Sequence, residues 1–176
     1  MTSWDDARRR ARVEAAERFP RLPHNFRAKL KRITPTQSIY FPVIVTLRTG
    51  ERRDAVYLSP AIPWFERWGV WPDEDAGKIG LGLDEVTDFE ESPSRMPPQF
   101  AEVLYDAGES GMGYQLFQLH FLDGSSASFV SGNTIDFPDL PPGKTPGDIL
   151  GVTPHEGRDD PLRRGSKEYA WCLFHS

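Results

Sequence analysis

The sequence predicts an α+β fold: one domain built on a mainly antiparallel, meander-type sheet of about five to seven strands, with an N-terminal helix, short helices on one side and a long irregular C-terminal wrap. Three observations carry this. Residues 113–137, GYQLFQLHFLDGSSASFVSGNTIDF, read as two strands joined at Asp123-Gly124, and residues 39–58 read as a second hairpin around Thr49-Gly50. Helix-spaced segments lie before and between these hairpins rather than alternating with every strand. Finally, 16 prolines and 15 glycines among 176 residues demand many turns, which argues against a helical bundle. A chain of this length builds one domain with a proper core and is short for two. We therefore read residues 1–20 as an N-terminal helix and 21–176 as a single α+β domain, with 138–168 as its irregular segment.

The elements follow in order. Asp5 and Asp6 favour the positive end of a helix over residues 3–19, and Ser3 with Asp6 fits a capping box with Asp in place of Glu. Trp4, Ala7, Ala11, Ala15 and Phe19 recur at helical spacing as a thin apolar stripe, and Pro20 ends the helix. Residues 26–33, FRAKLKRI, suit either a short helix or an edge strand. In the 39–58 hairpin a two-residue loop sets Val43 opposite Val56 and Phe41 opposite Leu58, with Phe41, Val43, Val45 and Leu47 on one face. Residues 60–72, PAIPWFERWGVWP, start a short helix at Pro63 and stop it at Gly69. Residues 79–91 read as an edge strand. Pro97-Pro98 open a helix through Asp106 whose Phe100, Val103 and Leu104 pack inward and which Gly108 ends.

In the 113–137 hairpin, alternation puts Phe117, Leu119 and Phe121 on one face and Tyr114, Leu116, His120 and Leu122 on the other. Both faces are largely apolar, so this strand is expected to be covered on two sides. A two-residue loop sets Phe121 opposite Ser126, His120 opposite Ala127 and Phe117 opposite Val130. The returning strand, smaller and more polar, suits an edge. Beyond Phe137 a single helical turn at 146–150 interrupts an irregular run. Residues 169–174, YAWCLF, are apolar enough to form a last strand or to dock on the core.

Charge and cysteine content narrow the function classes. Residues 1–60 carry 13 Lys+Arg against 6 Asp+Glu, whereas residues 61–176 carry 8 against 20. That acidic main body argues against a nucleic-acid partner, because phosphate contacts need clustered cations. A single cysteine, Cys172, excludes an internal disulfide and any multi-cysteine metal site. No stretch approaches the roughly 20 apolar residues that cross a bilayer, and the opening MTSWDDARRR lacks the apolar run of a secretory signal. The expectation is a soluble, cytoplasmic protein with no metal, no cofactor and no membrane partner.

No motif fixes a chemistry. Gly143-Lys144-Thr145 ends like a phosphate-binding loop, but Pro138 stands where its first glycine is required. Gly108-Glu-Ser110-Gly-Met-Gly113 is like a nucleophile elbow, yet Met112 replaces its last glycine and the order is helix-to-strand. Gly77-Lys-Ile-Gly80-Leu-Gly82 runs in the reverse order of a dinucleotide fingerprint. His155-Glu156 opens like a zinc-protease motif with no second histidine, and Cys172 with His175 offers two ligands at most.

Two function classes stand. The preferred one is a non-enzymatic binding or interaction protein whose partner is another protein or a second copy of itself. Its surface would be Trp64, Trp68 and Trp71 beside Asp73, Glu74 and Asp75, since aromatic rings offer large contact area with a polar handle. An immunity-type inhibitor is one form, by analogy of size and charge. The same tryptophans could instead plug one end of the sheet. The alternative class is a small hydrolase or isomerase that pairs the strand-borne His120 with a carboxylate, Glu109 or Asp136, as acid and base. A histidine satisfied within the core is the structural counterpart of that reading.

Overall fold

The computed structural model describes residues 3–176. Its order is α1 (Ser3–Arg18), α2 (His24–Leu30), β1 (Phe41–Leu47), β2 (Arg52–Pro60), α3 (Ala61–Trp68), β3 (Val86–Glu91), α4 (Pro98–Ala107), β4 (Gln115–Phe121), β5 (Ser126–Ser131), β6 (Ile149–Pro154) and β7 (Ala170–Phe174). The class is α+β, with four helices and two mostly antiparallel sheets among the described residues. The strands predicted as one sheet are divided: β3-β1-β2-β7 form one, and β5-β4-β6 the other. The chain groups accordingly into two compact units, residues up to 92 together with 169–176, and residues 93–168.

In the first unit β1 and β2 form the expected hairpin, with Val43 opposite Val56 and Phe41 opposite Leu58. Two unforeseen offsets cancel to give that register. The loop holds three residues rather than two, because Leu47 N–H bonds to the Glu51 carbonyl and Gly50 takes a φ of 85°. A bulge then opposes Ile44 with both Asp54 and Ala55, the latter at a φ of 53°. β3 pairs on the outer side of β1, the edge position expected for it, but it begins only at Val86.

The other side of β2 takes β7, in parallel, with Val56 beside Ala170 and Leu58 beside Cys172. Helices cover both faces of this sheet rather than one. On one face Val43, Val45, Val56, Leu58, Ala170, Cys172 and Phe174 pack against Phe26 and Leu30 of α2. The ambiguous 26–33 segment is thus helical over its first part, with two apolar residues one turn apart facing the sheet. On the other face Trp171 and Tyr57 meet the aromatic side chains of α3. In α1 Ala11 and Ala15 are buried, but Trp4, placed on the apolar stripe by spacing, is 79% exposed.

The second unit is built on β4. Phe117, Leu119 and Phe121 enter one core cluster, as alternation required, together with Ala101 and Leu104 of α4. The opposite face is only partly covered, since Gln118 and His120 are half-buried and Leu122 is exposed. The β4–β5 loop also has three residues, closed by Phe121 N–H to the Ser125 carbonyl, with Gly124 at a φ of 84°. Register therefore shifts by one from the prediction: His120 faces Ser126, and Phe117 faces Phe129 with rings stacked 5.4 Å apart. Val103 of α4 is exposed rather than inward. The irregular 138–168 segment contains one strand the composition hid, β6, which pairs with β4 on its free side.

Burial pushes the Cys172 thiol up from its ordinary 9.0 to about 12, with Glu85 and Asp84 adding to the shift. A thiol held protonated by the fold stabilises it below pH ~9, and this contribution is lost as pH climbs toward 12. Ellman's reagent should accordingly leave the native protein unmodified and titrate one thiol per chain after urea unfolding.

Candidate functional site

The tryptophan cluster is core. Gly69, left-handed at a φ of 75°, ends α3 as expected. The i, i+4 spacing stacks Trp64 on Trp68 at 5.7 Å, and the chain then returns Trp71 parallel to Trp64 at 6.4 Å. Trp171 of β7 meets both Trp64 and Trp68 edge-on at 5.4 and 5.6 Å, and lies over Tyr57 at 4.7 Å. Trp64 and Trp71 are fully buried, and their indole N–H groups find no acceptor. Trp68 is half-buried, donating its N–H to the Tyr40 hydroxyl at 3.0 Å beneath the Lys78 ammonium. The expected exposed wall is therefore corrected at Trp64 and Trp71: burying these indoles yields more than displaying them, even with both N–H groups left unpaired, while Trp68 stays half-buried.

The acidic residues beside it are equally engaged. Asp73 accepts from the Arg18 guanidinium at 3.2 Å, and Glu74 accepts from Arg18 at 3.1 Å and from Trp71 N–H at 3.2 Å. Asp75 accepts from Gly77 N–H at 2.9 Å and pairs with Lys78, and these contacts lower its pKa. Asp73, Glu74 and Asp75 tie the 72–78 turn to α1 and to itself.

Among the described residues His120 has no carboxylate partner. Its Nδ1 lies 2.8 Å from Ser126 Oγ and its Nε2 2.7 Å from Thr153 Oγ1, hydroxyls of the two neighbouring strands. Glu109 accepts instead from Gly113 N–H, and Asp136 is buried and accepts from the Tyr105 hydroxyl at 2.6 Å. The acid–base pair expected there is not assembled. Among the described residues no cluster of three or more His, Cys, Asp or Glu could hold a metal ion, and no helix is long and apolar enough to cross a membrane.

Two features that sequence reasoning missed remain. The first is a groove of about 700 Å³ along α2, lined by Leu22, Leu30, Ile33, Phe41 and Phe174 with His24, Arg27 and Lys31. Arg27 Nε donates to the Leu22 carbonyl at 3.2 Å, and among the described residues no carboxylate pairs with Arg27, Lys31 or His24. A second cleft, of about 550 Å³, includes Trp171 and Leu173, but its cation Arg18 is already bound to Glu14, Asp73 and Glu74. The 26–33 segment carried the signal for the groove in its alternation of cations with Phe26, Leu30 and Ile33. The second feature is a contact between two fragments that looked inert: Ser110 Oγ lies 2.7 Å from His155 Nδ1.

No protein-family model matches this chain, no curated protein matches it and no solved structure matches it. The reading of function rests on the residues themselves.

Truncating Trp64 to Ala should cost about 3–5 kcal/mol of stability, as for a large buried aromatic side chain. Trp68→Ala, at a half-buried position, should cost clearly less. Urea denaturation followed by far-UV circular dichroism separates the two.

Proposed function

We propose that this is a binding protein that takes an acidic, apolar-anchored segment of a partner protein into the groove along α2. The observation that supports the reading is the combination of an apolar lining with two cations, Arg27 in α2 and Lys31 at its C-cap, that form no ion pair among the described residues. Nearby in the first unit Lys29 is committed to Asp88, Arg52 to Glu90 and Arg18 to three carboxylates. A free cation on the surface is ordinary, but one beside an apolar groove gives a ligand both an anchor and a register.

Spacing favours a peptide over a compact head group. Arg27 and Lys31 stand one helical turn apart, so their charges form a row roughly 6 Å long, which successive acidic side chains of one segment can span. The surface differs from the aromatic–acidic one expected from the sequence, but the class, a protein acting through interaction, is the same. A soluble, cytoplasmic setting belongs to this reading, in which the one buried thiol stays reduced.

Fluorescence anisotropy with a labelled synthetic peptide of alternating leucine and glutamate tests it. Binding should weaken as salt rises and fall at least about tenfold, or ~1.4 kcal/mol, in the double variant Arg27→Glu/Lys31→Glu. A leucine–lysine peptide should not bind. Equal binding by wild type and variant, or no binding of the acidic peptide to wild type, would contradict the proposal.

A further inference from the structure

We infer that Ser110 and His155 form a nucleophile–base pair able to cleave small, unhindered carboxylic esters. The pair lies wholly within the second unit, and the inference is independent of the groove along α2.

The loop that carries Ser110 is tightly specified. Gly108 ends α4 at a φ of 74°, Gly113 turns the chain at 77°, and Ser110 N–H bonds to the Tyr114 carbonyl at 2.9 Å. Gly111 has no room for a side chain, because a Cβ there would stand 2.4 Å from the Tyr114 ring. His155 follows β6, with its backbone N–H bonded to the Leu116 carbonyl at 2.7 Å. It holds a φ of 62°, a left-handed conformation that costs a non-glycine residue about 1 kcal/mol or more and that clusters at functional sites.

The hydrogen bonds settle the proton positions. His155 Nε2 is 3.1 Å from the Ala107 carbonyl, which can only accept, so the ring proton sits on Nε2 and Nδ1 offers its lone pair. Ser110 therefore donates its hydroxyl proton to Nδ1, and its oxygen accepts from Leu116 N–H at 2.9 Å. The same oxygen lies 3.4 Å from the Leu116 carbonyl, a weaker alternative for that proton. Nucleophile, base and base-orienting acceptor thus stand in the order that activates a serine, with a main-chain carbonyl where other such sites use a carboxylate. Leu116 N–H also favours the alkoxide as the proton leaves. A hydroxyl alone would close this loop; an exposed imidazole held by its far nitrogen is superfluous to that task.

The pair is open to solvent on the side of the imidazole. His155 is exposed and Met112, two residues after Ser110 in the loop, is 98% exposed. Arg158 donates to the Tyr114 hydroxyl at 3.1 Å and to the Ser110 carbonyl at 3.3 Å, which ties a cation to the loop that carries the serine. In the step proposed, Ser110 Oγ bonds to the ester carbonyl carbon while its proton passes to Nδ1. The C–O bond to the alcohol then breaks as Nδ1 returns that proton to the leaving oxygen. Water, deprotonated by the same nitrogen, releases the acid and restores the hydroxyl. A neutral carbonyl supports the imidazolium less than a carboxylate does, so turnover should be slow.

The test treats the full chain with a fluorophosphonate probe and maps the adduct by mass spectrometry, alongside p-nitrophenyl acetate hydrolysis. The adduct should sit on Ser110. Both labelling and hydrolysis should fall about a hundredfold or more in Ser110→Ala and in His155→Asn, the loss typical of a removed general base or its nucleophile. Asparagine is chosen at 155 because it tolerates the left-handed conformation, and circular dichroism confirms the fold of each variant. Absence of a Ser110 adduct on the folded wild type, or labelling unchanged in folded His155→Asn, would overturn the inference.

Discussion

The first unit depends on one pairing, the parallel alignment of β7 with β2. Parallel neighbours need a crossover, and here residues 93–168 intervene between the two parts of the unit. Strand alternation then lets five residues serve two cores. Ala170, Cys172 and Phe174 complete the cluster under α2, while Trp171 is the ring that Tyr40, Tyr57, Trp64 and Trp68 all touch. The α2 groove shares this dependence, since Phe174 is part of its lining. Closing so long a loop costs only logarithmically more than closing a short one, so the burial of one indole and one phenyl ring offsets it readily.

This explains which parts of the fold were legible. Both hairpins, the helix after Pro97-Pro98 and the stop at Gly69 were readable because each is specified within a few neighbouring residues. What failed was longer-ranged or finer. The three-residue loops at Gly50 and Gly124 differ from two-residue loops only in which residue turns left-handed, and Asp-Gly serves either. At the first hairpin the bulge at Ala55 restored the expected pairs; at the second nothing did, and Phe117 came to face Phe129. The partner of the last strand could not be read at all, because an apolar pentapeptide states that it is buried and not beside what.

The candidate sites follow the same division. Trp64, Trp68 and Trp71 are conspicuous by composition, which suggests a binding surface, yet a ring-dense segment next to a strand end is also what a core requires. Arg27 and Lys31 were inconspicuous, being two cations among many; what distinguishes them is their place beside an apolar groove, which only the folded arrangement reveals. Ser110 and His155 lie 45 positions apart in fragments that each fail their motif, and only the β4–β6 pairing draws them together. In each case the informative property is a relation between residues, not the residue.

Trp64 and Trp68 of the first unit are structural and are locked by Trp171. Acrylamide quenching of the Trp4→Phe variant measures this directly, because Trp4 is the one indole with a largely exposed ring. With that ring removed, the account predicts blue-shifted emission that acrylamide barely quenches until urea unfolds the chain. Strong quenching of the folded variant would place the remaining tryptophans at the surface, contradict the aromatic core and return the binding role to them.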